Sequence, residues 1–547
     1  MKRVKWIVLM GVIAVATAAL APTDRYFEIA KSLDIFATLF KEVNTYYVDD
    51  VDPKILIRKS IDSMVESLDP YTDYIPEEEV ESFQIVTTGQ YAGIGALIGV
   101  INNKTIVTHP YKDFPAYKAG LKVGDEIIAI DGIAVKGKPT NEVSALLKGP
   151  ARTEVELKIK KRGVASEMVV KINREKITIS NLAYAGLVDT DVAYIKLDDF
   201  TPGAAKEVAD ALTRLKEKGA KKLLLDLRDN PGGLMNEAIN IVNLFIPREK
   251  EVVSTKGKVQ EWNKTYHTLN NPQDIEIPIA VLTSGGSASA SEIVAGALQD
   301  YDRAVLIGKK TFGKGLVQTT RPLTYNSQLK VTTAKYYIPS GRCIQALDYA
   351  HRNEDGSVEK FPDSLRSEFK TINGRKVYDG NGIDPDITVE DEYLGAVTIA
   401  LIQNGLIFEF ASKYCGEHPI TPDLASFKFS DPHHSKFLEW IKAQKFSYKT
   451  ALEANTIQLM EVAKQERYYN DLESQLTDLK MKIEANKTSD LVRFKKEIVE
   501  IIEQQIAFHY SLAEGQAVVS LQRDQTVSQA IKVLNDSKQY KSLLSPH

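Results

Sequence analysis

With 547 residues, 43% hydrophobic and 26% charged, the chain has the composition of a globular protein of about three or four domains. A formal net charge of −4 gives no electrostatic case for a nucleic-acid partner. Two cysteines, Cys343 and Cys415, allow at most one disulfide; no HExxH or paired CxxC occurs, so no metal site or cofactor is indicated.

Lys2, Arg3 and Lys5 precede an apolar run from Trp6 to Ala21, and Ala19-Leu20-Ala21 offers a small-x-small cleavage site. At about sixteen residues the run is short for a membrane span. Residues 1–21 read as a cleavable export signal, which places the mature chain in a periplasm or cell envelope. Left uncleaved, the segment would hold the protein beside a membrane. Residues 22–85 read as helical: Phe27, Ile29, Ala30, Leu33, Phe36, Leu39 and Phe40 recur at helical spacing, and Asp69-Pro70 stops a second helix begun at Pro53.

Residues 86–175 change character. Gly93-Ile94-Gly95-Ala96-Leu97-Ile98-Gly99 invites a dinucleotide-binding reading, but that fingerprint needs a helix directly after its glycines. Here Val100 and Ile101 continue the apolar run and Asn102-Asn103 turns it into a hairpin. Further on, Gly124-Asp125 turns into the Ile-rich run that ends at Asp131-Gly132. The whole resembles a PDZ domain. That resemblance implies a carboxylate-binding loop over residues 91–96, with Gly93, Ile94, Gly95 and Ala96 presenting backbone N–H groups to the carboxyl terminus of a peptide that adds as a strand.

Over residues 176–390 strands and helices alternate. Val192 to Leu197 is a strand, Thr201 caps a helix with Pro202 at its first position, and 222–227 is a second apolar strand. Arg228-Asp229-Asn230-Pro231-Gly232-Gly233 turns the chain before another helix. The alternation predicts a layered α/β core. Its last units are residues 281–318: a strand, a turn carrying Gly285 and Gly286, a helix opening near Ser289, a strand over 304–307, and the turn Gly313-Lys314-Gly315.

Ser289-Ala290-Ser291-Glu292 fits a capping box, with Glu292 reaching back to the helix start. The same serine is also a candidate nucleophile, because unpaired N–H groups at a helix N-terminus favour a developing negative charge. The glycines beside Lys314 would admit a substrate backbone, and a dehydrated lysine is a general base. Gln318, four residues on, would share a strand face with Lys314 and hold its amine.

The set GSASASE, FGKG and GLVQ resembles the carboxyl-terminal processing (tail-specific) proteases, serine peptidases with a Ser–Lys dyad. In that family the nucleophile precedes the lysine by 25 positions and the glutamine follows by four, as Ser289, Lys314 and Gln318 do here. The resemblance, over about residues 30–390, implies a multidomain α+β protein. It has a crotonase-like α/β protease core with an inserted PDZ domain, an N-terminal helical region and a mostly helical C-terminal extension over residues 391–547. It also implies an oxyanion hole of backbone N–H groups, Ala290 with Gly232 or Gly233, and no cofactor. The implied substrates are proteins recognised by their C-terminal tails and cut near them. Lys314 must be neutral to act, so the role calls for a buried amine with no carboxylate near it, because a counter-ion would keep it charged.

Two other readings bear on these residues. Ser327-Gln328-Leu329-Lys330 matches the Ser-x-x-Lys pattern of penicillin-binding proteins, but it sits in an expected hairpin and lacks the companion motifs. A non-catalytic exported scaffold would use the PDZ-like domain alone and would need none of Ser289, Lys314 and Gln318. In the tail, Tyr469, Leu472, Leu476, Leu479 and Ile483 form about two heptads, fewer than a coiled coil needs. Helical-hairpin packing is the expectation there. A homodimer seam and a lid over the site are the other arrangements such a stripe allows.

Overall fold

A computed structural model describes residues 23–164, 166–349, 351–353, 357–390 and 393–546, so the expected export signal lies outside the described residues. No helix among the described residues is long and apolar enough to cross a membrane. The chain divides into two compact units, residues 1–76 with 320–331 and residues 77–319 with 332–547.

In the first unit, helix Thr23–Tyr46 is followed by helix Pro53–Glu66. The Asp52 carboxylate accepts the Lys54 N–H at 2.8 Å, and Pro53 fills the first helical position, where no N–H is needed. Beyond this helix, the Asp69 carboxylate accepts the N–H groups of Tyr71 and Thr72. The chain then enters strand Asp73–Ile75, which pairs antiparallel with residues 328–330. The helical pattern of 22–85 gave no sign of this strand, whose partner lies far along the chain. Ser327 sits in a hairpin turn, as expected, with its hydroxyl donating to the Thr324 carbonyl.

In the second unit, helix Glu77–Thr88 leads into an antiparallel domain. Strand Gln90–Gly93 pairs with Glu175–Thr178 and so ties the entry of the domain to its exit. Between them, Ala96–Ile101 and Lys104–Pro110 form a hairpin turned by Asn102 and Asn103, both at positive φ, where a dinucleotide site would need a helix. Strands Glu126–Ile130, Glu154–Lys160 and Glu167–Asn173 complete the sheet. Helix Thr140–Leu147 adds Val143 to a core of Ile94, Val107, Ile127, Ile130, Leu157 and Ile159.

The layered core is a six-stranded sheet whose spatial order follows its sequence order: β1 (Leu182–Leu187), β2 (Val192–Leu197), β3 (Lys222–Asp226), β4 (Ile279–Thr283), β5 (Ala304–Gly308) and β6 (Ile387–Thr388). Only β1 runs antiparallel to its neighbour. Strands β2 to β5 are apolar at nearly every position because both faces are covered. Ile195, Leu225, Val281 and Leu306 face helices α1 (Ala204–Glu217), α2 (Met235–Asn243) and α3 (Ala290–Asp300). The alternate residues Tyr194, Leu224, Leu282 and Ile307 face α4 (Gln525–Asn535). Behind it, helix Ser537–Leu543 places the Tyr540 hydroxyl on both backbone groups of Ile279. The last helices of the expected C-terminal extension are thus part of this layer.

Helix α1 starts at Ala204 and is capped by Gly203, not by Thr201. Asn181 takes both the N–H and the hydroxyl of Thr201, while the Glu237 carboxylate accepts the N–H groups of Gly203 and Ala205. A separate helical cluster is built on Leu406–Glu417, Asp431–Ala443 and Lys495–Ser520, with Phe410, Phe437, Ile502 and Ile506 at its centre. Helices Ala451–Gln465 and Tyr469–Lys487 form an antiparallel hairpin closed by the Lys487–Glu453 ion pair. Of the heptad stripe only Leu476 and Ile483 are buried. Cys343 and Cys415 are both free thiols.

Candidate active site

Strand β4 delivers the chain to a tight turn over 284–289, from which α3 departs. Four serines stand in or just after this turn, and three are committed to holding it; Ser284 donates to the Asp229 carboxylate at 2.8 Å. Ser287 accepts the Ser284 N–H at 2.9 Å and donates to the Leu227 carbonyl at 2.7 Å. Ser291 donates to the Asn230 carbonyl at 3.0 Å. Ser289 is half-buried and stands at φ 55°, ψ −113°, a strained conformation for a residue with a side chain. Strain of this kind persists where the surroundings enforce it, and it characterises serines displayed on a sharp strand-to-helix turn.

Glu292 supplies its half of the expected capping box, and more. Its buried carboxylate accepts the Ser289 N–H at 2.9 Å and the Lys314 N–H at 2.8 Å on one oxygen, Oε2. The other oxygen accepts the Gly313 N–H at 2.7 Å and the Thr311 hydroxyl at 2.6 Å. The backbone nitrogens of Ser289 and Lys314 therefore lie within the sum of two hydrogen-bond lengths of each other. Burial pushes the Glu292 carboxyl up to about 7, against the four donors, which favour its ionised form. Sequence reasoning had seen only a helix cap here; the second pair of donors lies beyond the next strand and leaves no local signal.

Lys314 is half-buried, less enclosed than expected, and Phe312, two residues before it, is exposed. The flanking glycines serve the protein's own backbone. A Cβ on Gly313 would lie 2.5 Å from that of Ala346, and one on Gly315 would lie 2.8 Å from the Gln345 nitrogen. Gln318 lies on the following strand, Leu316–Pro322, and its amide donates to the Thr332 hydroxyl at 3.1 Å.

The turn after β3 lies against the head of α3. Gly232, at φ +98°, approaches so closely that a Cβ there would stand 2.7 Å from the Ala288 carbonyl oxygen and 2.8 Å from the Ala290 nitrogen. Asn230 organises the contact: its carbonyl accepts the Ala288 N–H at 3.0 Å, and its side chain accepts the Gly232 N–H at 2.8 Å. Among the described residues, no acceptor takes the N–H of Gly233 or of Ala290. Of the two glycines that the sequence left open, Gly232 gives its N–H to the Asn230 side chain and Gly233 does not. Behind the turn, Arg228 is held by the fully buried Asp226 and, at 2.8 Å, by Asp524 at the start of α4. Burial alone would raise the Asp226 carboxyl, but Arg228 holds it below the usual carboxylate range.

In the antiparallel domain, Ile94 is a core residue and Gly95 is at φ +72°. The Tyr91 ring packs on Gly93, and its phenol, beside the N–H groups of Gly95 and Ala96, is pushed up to about 12, chiefly by burial. Residues 93–96 thus form a loop, with a tyrosine at its floor that sequence reasoning did not single out.

Comparisons with known proteins agree with this layout. The family model for peptidase family S41 matches residues 191–350, a PDZ domain model matches 106–161, and a model of a probable PDZ-protease C-terminal helical domain matches 397–534. The PDZ match begins beyond residues 93–96. A carboxy-terminal-processing protease of Bartonella bacilliformis is 40% identical over 321 residues, which cover 58% of this chain and 73% of that protein. A probable CtpA-like serine protease of Staphylococcus aureus is 39% identical over 57% of this chain and 62% of its own length. Among solved structures, a photosystem II D1 C-terminal processing protease is 27% identical, covering 66% of this chain and 93% of that one, with a TM-score of 0.34.

Proposed function

This chain belongs to the carboxy-terminal-processing proteases of peptidase family S41, and on that premise we propose that it is an exported serine endopeptidase that cuts protein substrates near their C-termini. The sheet with helices α1 to α4 is read as a crotonase-like protease core, and the domain over 86–175 as the receptor for the substrate tail. Export rests on the sequence of residues 1–21, which places the enzyme in a periplasm or cell envelope.

The observation that carries this reading is the single carboxylate oxygen of Glu292 that holds the backbones of Ser289 and Lys314 together. In the proposed reaction Ser289 Oγ attacks the scissile carbonyl and the Lys314 amine takes its proton. The N–H groups of Gly233 and Ala290 donate to the oxyanion. The C–N bond then breaks, Lys314 returns the proton to the leaving amine, and an acyl-enzyme remains. Water, deprotonated by Lys314, adds to the ester; the C–O bond to Ser289 breaks, Lys314 returns the proton to Ser289 Oγ, and the new carboxyl terminus leaves. An ordinary lysine, with a pKa of about 10.4, is neutral in roughly one copy in a few thousand at pH 7. In this scheme substrate closing over the half-buried amine completes its dehydration, and Gln318 orients it.

The test is Ser289→Ala in the full chain, assayed on peptides with free apolar C-terminal tails. Cleavage should vanish while tail binding and the melting temperature stay close to wild type. Cleavage that survives the substitution would refute Ser289 as the nucleophile.

A further inference from the structure

Tyr336 is fully buried in the core that α1, α2 and α3 share, and it reaches both halves of the candidate site. Its backbone N–H donates to the Gly315 carbonyl at 2.9 Å, one residue past Lys314. Its hydroxyl crosses to the head of α3 and donates to the Ser289 carbonyl at 3.2 Å. Burial, and after it the charge of Glu292, push the phenol well above its usual range, so the hydroxyl keeps its proton and remains a donor. Nothing in the proposed reaction uses this residue.

The bond falls on a peptide group with a particular use. The Ser289 carbonyl and the Ala290 N–H belong to one planar amide, so whatever fixes the carbonyl also aims the N–H. That N–H is one of the two proposed for the oxyanion. Two donors to the Ser289 carbonyl come from α3 itself, the N–H groups of Glu292 at 2.9 Å and Ile293 at 3.0 Å. Tyr336 is a third, from outside the helix, and its own backbone is fastened to the turn that carries Lys314. Ser289 stands at φ 55°, ψ −113°, so the amide plane is held against the preference of a residue with a side chain. Hydrogen bonds in a chain polarise one another: a donor on the carbonyl oxygen makes the N–H of the same amide a stronger donor.

We propose that Tyr336 is a positioning residue for the reaction, whose hydroxyl aims and polarises the Ser289–Ala290 peptide so that the Ala290 N–H holds the oxyanion more firmly than it holds the substrate carbonyl. The inference rests on the protease reading. It assigns the hydroxyl an effect that appears only as charge develops on the substrate oxygen.

The experiment uses the full chain with Tyr336→Phe, which keeps the ring and leaves the Ser289 carbonyl its two helical donors. Rates are referred to the sites that a covalent Ser289 inhibitor titrates, so an unfolded fraction does not count. With a peptide bearing an apolar tail, kcat and kcat/KM should fall together about fivefold, the worth of one hydrogen bond, with KM within about twofold of wild type. A peptide boronate, whose tetrahedral adduct with Ser289 carries an oxygen where the oxyanion would lie, should bind more weakly by the same factor. If Tyr336→Phe loses its cooperative melt, Tyr336→fluorotyrosine replaces it; this variant keeps a hydroxyl and makes it a stronger donor, so kcat should rise. Unchanged kcat in the folded variant, a change confined to KM, or a fall in kcat with boronate binding intact would each overturn the role while leaving the protease reading standing. If wild type cleaves no peptide, or Ser289→Ala cleaves as well as wild type, the protease reading fails and the role of Tyr336 fails with it.

Discussion

The two faces of the core sheet are covered from different parts of the chain. One face is closed by α1, α2 and α3, each following directly on a strand of the sheet, and it carries Ser289 and the turn with Gly233. The other is closed by α4 and the helix after it, which arrive only after the whole C-terminal helical domain. The first face is local in sequence and holds the proposed chemistry; the second is remote and holds the sheet. The two touch the same loop at one point, where Arg228 bridges Asp226 and Asp524.

The largest effect should come from removing the remote face. A chain ending at residue 523 uncovers the surface of β2 to β5 that Val527, Val533 and Leu534 bury. Each such side chain contributes roughly 1.5–3 kcal/mol, and the sum rivals the 5–15 kcal/mol typical of a domain. Loss of near-UV circular dichroism and of a cooperative melting transition is expected. A sharp melt within a few degrees of wild type would show that the near face stands alone.

On the near face, Glu292→Gln should cost about a hundredfold in kcat/KM, because an amide keeps one acceptor oxygen and turns an NH₂ group toward donors. More than a tenth of wild-type activity in a folded variant would contradict the tie between Ser289 and Lys314.

Acid should loosen the separate helical cluster that contains helix Lys495–Ser520. His509, on helix Lys495–Ser520, accepts from Ser412 at 2.7 Å and donates to the Gln505 carbonyl, and burial pushes its pKa down to about 3. The unfolded chain then binds a proton below about pH 6.5 that the folded one refuses, so stability is full above that pH and falls toward pH 3. The loss is on the order of 5 kcal/mol at the acid end. Melting curves of wild type and His509→Gln over this range should converge as pH falls; parallel curves would exclude His509 as the source.

The smallest effect expected is that of Asp524→Asn. Asparagine still caps α4, and a partly exposed ion pair is worth about 0–1 kcal/mol. Activity should stay within about threefold of wild type. A hundredfold drop would mean that the remote face positions the oxyanion turn and does not merely shelter the sheet.

What could be read from the sequence follows the same division. The spacing of Ser289, Lys314 and Gln318 and the βα alternation are local patterns, and they were legible. The PDZ-like hairpin was legible because Asn102-Asn103 follows the apolar run directly. The second reach of Glu292, the salt bridge from Arg228 to Asp524 and the pairing of residues 73–75 with 328–330 join distant segments through groups that any surface residue carries. Thr201 misled for a similar reason: it has the chemistry of a cap, but Asn181 holds its hydroxyl.

The order of assembly has a consequence for synthesis. The strand leading to Ser289 leaves the ribosome long before the segment containing Tyr540, yet that tyrosine holds both backbone groups of Ile279. A nascent chain can therefore shape the nucleophile's turn without closing the back of the sheet beneath it. The back of the sheet beneath that turn closes only after residue 540 has emerged.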